Sequence, residues 1–384
     1  MRFQLYFCTF VPLMNANFVT LLEEWYASNR RSLPWRDTRD PYRIWVSEII
    51  LQQTRVVQGM AYFYRFMEAF PTVRHLAEAS EDEVLRLWQG LGYYSRARNM
   101  HRASRQIMEQ GGAFPTTFEE VRRLAGIGDY TASAIMSFAY DAPYAVLDGN
   151  VFRVLSRTQG IDVPIDSTEG KRLFASLADE MLDRHHPALY NQAIMDFGAI
   201  RCTPKGFDCS QCPLQLQCVA YREGTVSLLP VKQHKVKIRE RHFVYIYLHY
   251  TASSDALIDQ PRDMVLLHRR TAGDIWEGLY EFPSFESAEH LSLSQLLDLP
   301  WVHLLLVHGG RLTPICQGMK HQLTHQSLFV DFYDLHLPPS CHPDLWHHPL
   351  LYNLTAFIHV PSASLDTFGM PRLLLHLMKM LSDK

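Results

Sequence analysis

The sequence lacks any run of about 18 or more apolar residues, which excludes an integral membrane protein built from hydrophobic helices. It also lacks a strong excess of one charge, because 37 Lys and Arg residues stand against 40 Asp and Glu residues. Any nucleic-acid surface must therefore come from local patches. Apolar residues make up 47% of the chain and charged residues 20%, so wholesale disorder is excluded. At about 100–200 residues per domain, 384 residues suggest two or three domains.

Cysteine is scarce except in one short stretch. Four of the seven cysteines lie close together in the sequence, and they are Cys202, Cys209, Cys212 and Cys218. An odd total with one tight cluster is typical of a reduced compartment and of a metal or iron–sulfur site, rather than of a secreted disulfide framework. The uneven spacing C-x6-C-x2-C-x5-C differs from the usual zinc layout of two C-x2-C pairs. On the residues alone, zinc and an iron–sulfur cluster both remain open.

The N-terminal segment has no convincing targeting signal. Residues 1–13 contain an apolar run, but Pro12 interrupts it and no small-residue cleavage site follows. We interpret this segment as a short extension before a helical pattern that begins just after Met14. The lack of an obvious targeting signal favours the cytoplasm of a bacterium as the expected location.

The chain is predicted to fall into two parts of different structure. Apolar residues at helical spacing, separated by proline and glycine, predict helices throughout residues 17–225. Residues 225–241 are rich in Lys and Arg and indicate an extended basic linker. Beyond them, strand-like runs at 242–250, 264–268 and 326–337 accompany helical patterns, which predicts a smaller α+β domain.

The segment LAGIGDYTA at residues 124–132 predicts a tight turn between two helices. Gly126 and Gly128 let the backbone turn so that amides at the start of the next helix can point at an anion. A helix-hairpin-helix grips a DNA phosphate in this way without reading sequence. An ordinary turn between helices explains the same two glycines.

Asp148 begins another predicted helix, eighteen residues after Tyr130. It lies in the segment VLDGNVFRV at residues 146–154, which also contains Asn150. Either Asp148 or Asn150 can serve simply as the helix cap. A catalytic carboxylate at this position is the alternative.

Taken together, the hairpin, the aspartate and the four cysteines resemble the endonuclease III superfamily of DNA glycosylases. Within it, the segments PWR at 34–36, IWVSEIILQQT at 44–54 and GLGYYSRARN at 90–99 are similar to the signature of MutY-type adenine glycosylases. The resemblance is dense over residues 17–222 and looser beyond. It implies a multidomain chain, with an all-α helix-hairpin-helix glycosylase core that carries an iron–sulfur cluster loop, followed by an α+β Nudix-like domain.

The resemblance divides the chain further and implies its cofactor. Residues 14–37 and 138–224 would form a cluster-bearing helical domain, and residues 38–137 a helical barrel domain with the hairpin. Residues 242–384 would form a Nudix-like domain that recognises 8-oxoguanine. The four clustered cysteines would hold a 4Fe–4S cluster of structural role. The implied partner is double-stranded DNA with adenine opposite 8-oxoguanine or guanine, bound by a monomer.

Two carboxylates carry the implied chemistry. Glu48 lies in a mostly apolar helical stretch, where burial is expected to raise its pKa and keep a proton available at neutral pH. By the resemblance, Glu48 protonates adenine N7 and then activates water. Asp148 stabilises the oxocarbenium-like sugar, through its charge or through a transient bond. Tyr130 and Asn150 position Asp148, the sugar and the water.

Lyase activity is not expected. Lyases of this superfamily have a nucleophilic lysine at the position of Tyr130, and residues 1–170 contain no lysine at all. Schiff-base chemistry requires an amine. The lyases also show Asp-Thr-His where this chain has Asp148, Gly149 and Asn150.

Other residues match the family's DNA contacts. Gln53 and Tyr93 correspond to side chains that enter the base stack when a base is flipped out of the duplex. Trp35, Arg36 and Gln192 correspond to residues around the extruded adenine. The Gln192 amide can both donate to and accept from a base edge.

The C-terminal part departs from its relatives in two ways. It resembles the Nudix-like domain through the segment WEGLYEFP at 276–283, but it lacks the acidic helix of Nudix hydrolases, so no nucleotide hydrolysis is expected. The family's Phe-Ser-His loop appears here as Leu323, Thr324 and His325. Thr324 retains a hydroxyl for the lesion, whereas Leu323 replaces the aromatic ring.

Four hypotheses follow, and the leading one is a monofunctional adenine glycosylase. A bifunctional glycosylase and lyase for oxidised pyrimidines is opposed by Tyr130. A non-catalytic iron–sulfur protein that senses damage is opposed by the presence of both carboxylates. A Nudix hydrolase of oxidised nucleotides is opposed by the missing acidic helix.

Overall fold

The structure, a computed structural model of the chain, describes residues 11–233, 238–252, 262–338, 345–346, 348–354 and 356–382. It divides into two compact units. The helical unit comprises residues 1–78 and 99–235, and the sheet unit comprises residues 79–98 and 236–384. Residues 1–10 of the proposed N-terminal extension lie outside the described residues. Residues 11–13 already belong to the first helix, so the proposed boundary before Met14 is three residues too late. No helix of the described segments is long and apolar enough to cross a membrane.

Helices follow one another along residues 11–222, as the apolar spacing predicted. Their bounds are α1 Val11–Asn29, α2 Pro41–Leu51, α3 Val56–Ala69, α4 Val73–Glu78, α5 Glu81–Trp88, α6 Ser95–Glu109, α7 Phe118–Arg123, α8 Asp129–Tyr140, α9 Gly149–Gln159, α10 Thr168–Met181, α11 Pro187–Asp196 and α12 Val219–Arg222. A π-helical turn, Phe197–Arg201, directly continues α11. The helix α5 and the first turn of α6 belong to the sheet unit.

Short polar side chains define where several of these helices begin. The Asp40 carboxylate accepts a hydrogen bond from the Tyr42 amide, and Pro41 occupies the first turn of α2, where its missing N–H has no cost. Ser80 and Glu83 form a reciprocal capping box on α5. Asp148 caps α9. These caps fix the start of the helices that carry Glu48 and Asn150.

The helical unit has a core formed by α1, α9, α10 and α11. Its largest fully buried side chains include Leu22, Phe174 and Phe197, and Cys202 and Cys212 pack against the same cluster. A satellite cluster of Ala220, Val226 and Leu229 packs against Cys209 and Cys218. The cysteine segment is therefore attached to hydrophobic core on two sides.

The sheet unit is built on a mixed sheet with the strand order β3–β2–β1–β6–β5. The strands are β1 Arg239–Ala252, β2 Arg262–Arg269, β3 Tyr280–Glu281, β4 Ser284–Ser287, β5 Arg311–Gln322, β6 Gln326–Leu337 and β7 Ile358–Pro361. The central strands β1 and β6 pair in parallel over the whole length of β6, while β5 and β6 form an antiparallel hairpin. This pairing places the 322–326 connection at one end of the hairpin.

Helices cover both faces of this sheet. They are α13 Leu293–Leu297, α14 Pro300–Val307 and α15 Arg372–Ser382. Along β1, Phe243 and Tyr245 join a core with α15, whereas Val244 and Ile246 join a core with α14. This alternation is the period of two expected of a strand with two buried faces. The predicted sequence of an all-α part followed by an α+β part is confirmed.

Two features differ from the sequence-based expectation. The strand β5 was not predicted, because Pro314 and Gly318 interrupt its pattern, and the register shifts at Pro314 and again after Cys316. The basic segment 225–241 is not extended throughout. Its first part packs on the helical unit, where Ile165 N donates to Val231 O at 3.0 Å. Residues 239–241 already belong to β1, and residues 234–237 lie outside the described ranges.

Candidate active site

Glu48 lies on the buried side of α2 and lines a cavity in the helical unit. Its side chain is almost inaccessible, with the residue 6% exposed. The Tyr130 hydroxyl, from the second residue of α8, donates to Glu48 Oε2 at 2.8 Å. Trp35, Arg36 and Gln192 line the same cavity. The structure therefore brings together the residues that the sequence assigned to the acid and to the adenine.

Burial raises the pKa of Glu48 to about 7, with a further increase from the nearby charge of Asp148. The hydrogen bond from Tyr130 and the positive charge of Arg36 act in the opposite direction. Burial also raises the pKa of Tyr130 well above 10, so its hydroxyl remains a donor. A carboxyl with a pKa near 7 can hold a proton at neutral pH and release it to a base.

Asp148 is the N-cap of α9 and its carboxylate is held by three donors. Oδ1 accepts from the Asn150 and Val151 amides, both at 2.8 Å, and Oδ2 accepts from Asn150 Nδ2 at 2.8 Å. Burial raises the pKa of Asp148, although these hydrogen bonds and the charge of Arg153 oppose the rise. The cap and the candidate catalytic carboxylate are thus the same group.

Arg153, which the sequence analysis did not single out, holds Asn150 in place. Its Nη2 donates to Asn150 Oδ1 at 2.9 Å and to Gly198 O at 2.6 Å, and its Nε donates to Cys202 O at 2.7 Å. Gly198 lies in the π-helical turn, where an added Cβ would be 2.6 Å from Asn150 Cβ. The available sequence signal was the spacing of three residues, which places Arg153 and Asn150 on the same face of a helix.

Asp196, also missed by the sequence analysis, anchors two arginines beside the cavity. Its side chain is fully buried, and it accepts from Arg36 Nη2 at 2.6 Å and from Arg31 Nε at 2.8 Å. Burial alone would raise the pKa of Asp196, but the hydrogen bonds and charges of the two arginines outweigh it and lower the pKa. The Tyr26 hydroxyl donates to Gln192 Oε1 at 3.0 Å. These contacts hold Arg36 and Gln192 in place in the cavity wall.

The two hairpin glycines differ in backbone conformation and in the space around them. Gly126 has φ +74°, and an added Cβ would lie 2.6 Å from Asn99 Cβ, so both the backbone and the space require glycine. Gly128 is the N-cap of α8 and has open space around it. An uncrowded helix N-terminus is the geometry that accepts an anion.

Gln53 and Tyr93, the candidate base-stack residues, both have an unusual backbone conformation. Both have positive φ, +56° for Gln53 and +48° for Tyr93, and both side chains are exposed. Strain of this kind at residues other than glycine costs roughly 1–3 kcal/mol and is concentrated at functional sites. Gln53 lies just beyond α2 and is not among the residues that line the Glu48 cavity.

Thr324 and His325 line a second cavity, of about 450 Å³, within the sheet unit. Tyr93 contributes to the same cavity, and its hydroxyl donates to Thr324 Oγ1 at 2.5 Å. The loop that contains Trp276 forms another wall, and Arg98 Nη2 fixes it through Glu277 Oε2 at 3.0 Å. Cavities of 300–1,000 Å³ are the usual size for small organic ligands.

The four clustered cysteines line one further cavity of the helical unit. Burial raises the pKa of the Cys212 thiol to about 11. Arg157 Nη1 donates to Cys202 Sγ at 3.4 Å and to Thr203 O at 2.8 Å, and its guanidinium lies over the Phe207 ring. In the described ranges, no three His, Cys, Asp or Glu side chains form a set that could hold a metal ion.

The cysteine cavity fits an iron–sulfur cluster by its donor set. Four sulfur atoms are the complement that such a cluster requires, and the arginine provides both positive charge and a hydrogen bond to a ligand sulfur. Hydrophobic core on two sides of the segment would limit access of water to the group.

Sequence comparisons match both parts of the chain. Residues 46–178 match the family described as HhH-GPD superfamily base excision DNA repair protein, and residues 256–380 match the NUDIX domain. The chain is 32% identical to an adenine DNA glycosylase of Buchnera aphidicola subsp. Schizaphis graminum, over 82% of this chain and 86% of that protein. It is 35% identical to an adenine DNA glycosylase of Mus musculus, over 82% and 71% respectively.

A structural comparison supports the fold of the helical part. A solved thermostable thymine-DNA glycosylase is similar to this chain with a TM-score of 0.52 and 26% sequence identity. The match covers 55% of this chain and 98% of that structure. The predicted glycosylase core and Nudix-like part are thereby confirmed as the fold class.

Proposed function

The chain belongs to the adenine DNA glycosylase family of base excision repair, and on this premise we propose that it hydrolyses adenine opposite 8-oxoguanine or guanine without cutting the strand. The observation that carries the proposal is the buried Glu48, with a pKa near 7, in a cavity shared with Trp35, Arg36 and Gln192. A neutral carboxyl in such a cavity is suited to protonate a purine that leaves the sugar.

In the proposed reaction, the bond between C1′ of the sugar and N9 of adenine breaks, and its electron pair leaves with the base. Glu48 donates its proton to adenine N7, which makes the base a better leaving group. The sugar becomes oxocarbenium-like, and the Asp148 carboxylate stabilises its positive charge. Glu48, now ionised, accepts a proton from the water that attacks C1′. The product is an abasic site and free adenine.

Tyr130 and Asn150 act as positioning residues in this reaction. The Tyr130 hydroxyl orients the Glu48 carboxyl through Oε2, and Asn150 Nδ2 orients the Asp148 carboxylate through Oδ2. Neither side chain supplies an amine, and no lysine precedes Lys171. The absence of a lysine nucleophile supports a glycosylase without Schiff-base lyase activity.

We also propose how the protein contacts the DNA backbone and bases. The amides after Gly126 and Gly128 would bind a backbone phosphate, and Gln53 and Tyr93 would enter the base stack. The cavity beside Glu48 has a volume of about 60 Å³, so an extruded adenine would have to widen it. Thr324 and His325 would contact the 8-oxoguanine left in the duplex.

We also propose that Cys202, Cys209, Cys212 and Cys218 hold a 4Fe–4S cluster. When bound, the cluster supplies no step of the hydrolysis and serves to cross-link the cysteine segment to the helical core. Arg153 donates to the Cys202 carbonyl and to Asn150, so an ordered segment also supports the Asp148 side of the site.

The test is a single-turnover assay of the Glu48→Gln variant on a duplex with adenine opposite 8-oxoguanine. Glutamine keeps the size of the side chain and an acceptor for Tyr130, but it has no acidic proton. We expect release of adenine to fall by at least about a thousandfold, with DNA affinity within threefold of the parent. Full activity of this variant would contradict the assignment of Glu48.

A further inference from the structure

A chain of hydrogen bonds connects the buried Asp196 to the Gln192 amide in the cavity wall. Asp196 and Gln192 are four residues apart on α11 and so lie on one face of the helix. Arg36 pairs with Asp196 through both of its terminal nitrogens, and Arg36 Nη1 also donates to the Tyr26 hydroxyl at 3.3 Å. Tyr26 in turn donates to Gln192 Oε1 at 3.0 Å.

The chemistry of the three side chains decides which group donates and which accepts in each of these hydrogen bonds. A guanidinium only donates, so the Tyr26 oxygen accepts from Arg36. The single hydroxyl proton of Tyr26 is then available for Gln192, and burial raises the pKa of Tyr26, which keeps that proton in place. A reversed amide would present a second donor to the Tyr26 oxygen. It would also leave the proton of this residue, only 3% exposed, without its acceptor.

As a consequence, the Gln192 side chain presents a hydrogen-bond donor to the cavity in a fixed orientation. With Oε1 turned toward Tyr26, the Nε2 hydrogens are the remaining hydrogen-bonding atoms of the Gln192 side chain. No residue of the described segments accepts a hydrogen bond from Nε2, and Gln192 lines the cavity that contains Glu48. An amide that is free to rotate would present an acceptor equally well.

Adenine and hypoxanthine differ in their hydrogen bonding at N1, which such an amide can contact. In adenine, N1 is an unprotonated acceptor, whereas in hypoxanthine N1 carries a hydrogen and is a donor. The sugar is attached at N9, and Glu48 is proposed to use N7, so the N1 edge remains for the other wall of the cavity. A donor at that wall favours adenine, because a donor facing N1–H would leave both groups without an acceptor.

We propose that Tyr26 is a positioning residue that fixes Gln192 with its donor toward N1 of the extruded base, and thereby selects adenine over hypoxanthine. The inference rests on the proposed function and adds to it the origin of base selection. Tyr26 acts through Gln192 and does not contact the base. The Asp196 carboxylate holds Arg36 in place, and Arg36 in turn fixes the Tyr26 hydroxyl as the donor to Gln192.

The test compares two duplexes, with adenine or with hypoxanthine opposite 8-oxoguanine, in single-turnover assays of the Tyr26→Phe variant. Phenylalanine keeps the buried ring and removes only the hydroxyl. We expect the rate for adenine to fall about tenfold and the rate for hypoxanthine to stay or rise, so that their ratio narrows about tenfold. Equal loss on both substrates would overturn the proposal, since a purely structural hydroxyl would give that result.

Tyr190 provides a matched control on the helix that carries Gln192. It is 2% exposed, and its hydroxyl has no hydrogen-bond partner in the described part of the chain. Tyr190→Phe should therefore leave the ratio unchanged. Equal release of 1-deazaadenine and adenine by the parent enzyme would also overturn the proposal, because the deaza base lacks the N1 acceptor. Failure to release adenine at all would instead refute the proposed function.

Discussion

At the residue scale, the proposed chemistry depends on the protonation of Glu48. Burial is the larger influence and raises its pKa to about 7, while the hydrogen bond from Tyr130 limits the rise. An ionised carboxylate and a neutral one are thus close in free energy at neutral pH. This balance suits a group that gives a proton to the base and then takes one from water.

The rate of adenine release should therefore depend on pH in a defined direction. Because the proposed reaction begins with a protonated Glu48, the single-turnover rate is expected to be lost as pH rises through about 7, approaching a tenfold decrease per pH unit. Tyr130→Phe removes an influence that lowers the pKa, so the falling limb should move to higher pH. A limb that stays in place in this variant, or a rate independent of pH between 6 and 9, would contradict the account.

At the scale of elements, helix starts explain much of the site and were largely predictable. Asp148 and the hairpin glycines stand at the starts of α9 and α8, and short-range sequence signals predicted both boundaries. The long-range contacts of Arg153 and Asp196 were not predictable. The carbonyls of Gly198 and Cys202 that accept from Arg153, and the two arginines that pair with Asp196, lie 45 or more residues away in the sequence, and such contacts leave no periodic signal in it.

Asp148 combines a structural role with a proposed chemical role, and substitutions can separate the two. Asparagine keeps an oxygen for the Asn150 and Val151 amides and loses only the acceptor for Asn150 Nδ2, so Asp148→Asn should lower the free energy of unfolding by less than Asp148→Ala does. Asp148→Ala loses the cap and should cost about 1–2 kcal/mol. Both variants should lose adenine release, because neither carries a negative charge. Measurement uses urea unfolding together with the single-turnover assay.

The two substitutions also define the result that would contradict a chemical role for Asp148. If Asp148→Asn retained the activity of the parent and only Asp148→Ala lost it, the carboxylate would be a helix cap and nothing more. Loss of activity in both variants, with the larger loss of stability in the alanine variant, supports the charge as the chemical requirement.

At the scale of the whole molecule, residues 79–98 fold with the C-terminal part of the chain. Arg269 Nη2 pairs with Glu81 Oε1 at 3.0 Å and with Asp82 Oδ1 at 3.1 Å. Sequence order alone places this segment in the helical part, because its pattern is helical and its neighbours on both sides are helical. Only long-range pairing assigns it to the sheet unit, and that pairing brings Tyr93 to the cavity of Thr324.

This second cavity should determine the preference for the base opposite adenine. Tyr93 donates to Thr324 Oγ1, which leaves the threonine hydroxyl proton available for a ligand. Thr324→Ala should reduce the preference for 8-oxoguanine over guanine by about tenfold, whereas Thr324→Ser, which keeps the hydroxyl, should retain it. The measurement is the ratio of single-turnover rates on the two duplexes. An unchanged ratio in Thr324→Ala would remove this hydroxyl from lesion recognition.

The proposed function is hydrolysis of the glycosidic bond of adenine by an enzyme that does not cut the strand. To test it, a duplex with adenine opposite 8-oxoguanine is incubated with excess enzyme, and half of each sample is then heated in alkali. We expect strand breaks only after alkali, because adenine has left and the abasic strand is intact. Breaks without alkali would contradict it by revealing lyase chemistry, and intact strands after alkali would contradict it by showing that no adenine was removed.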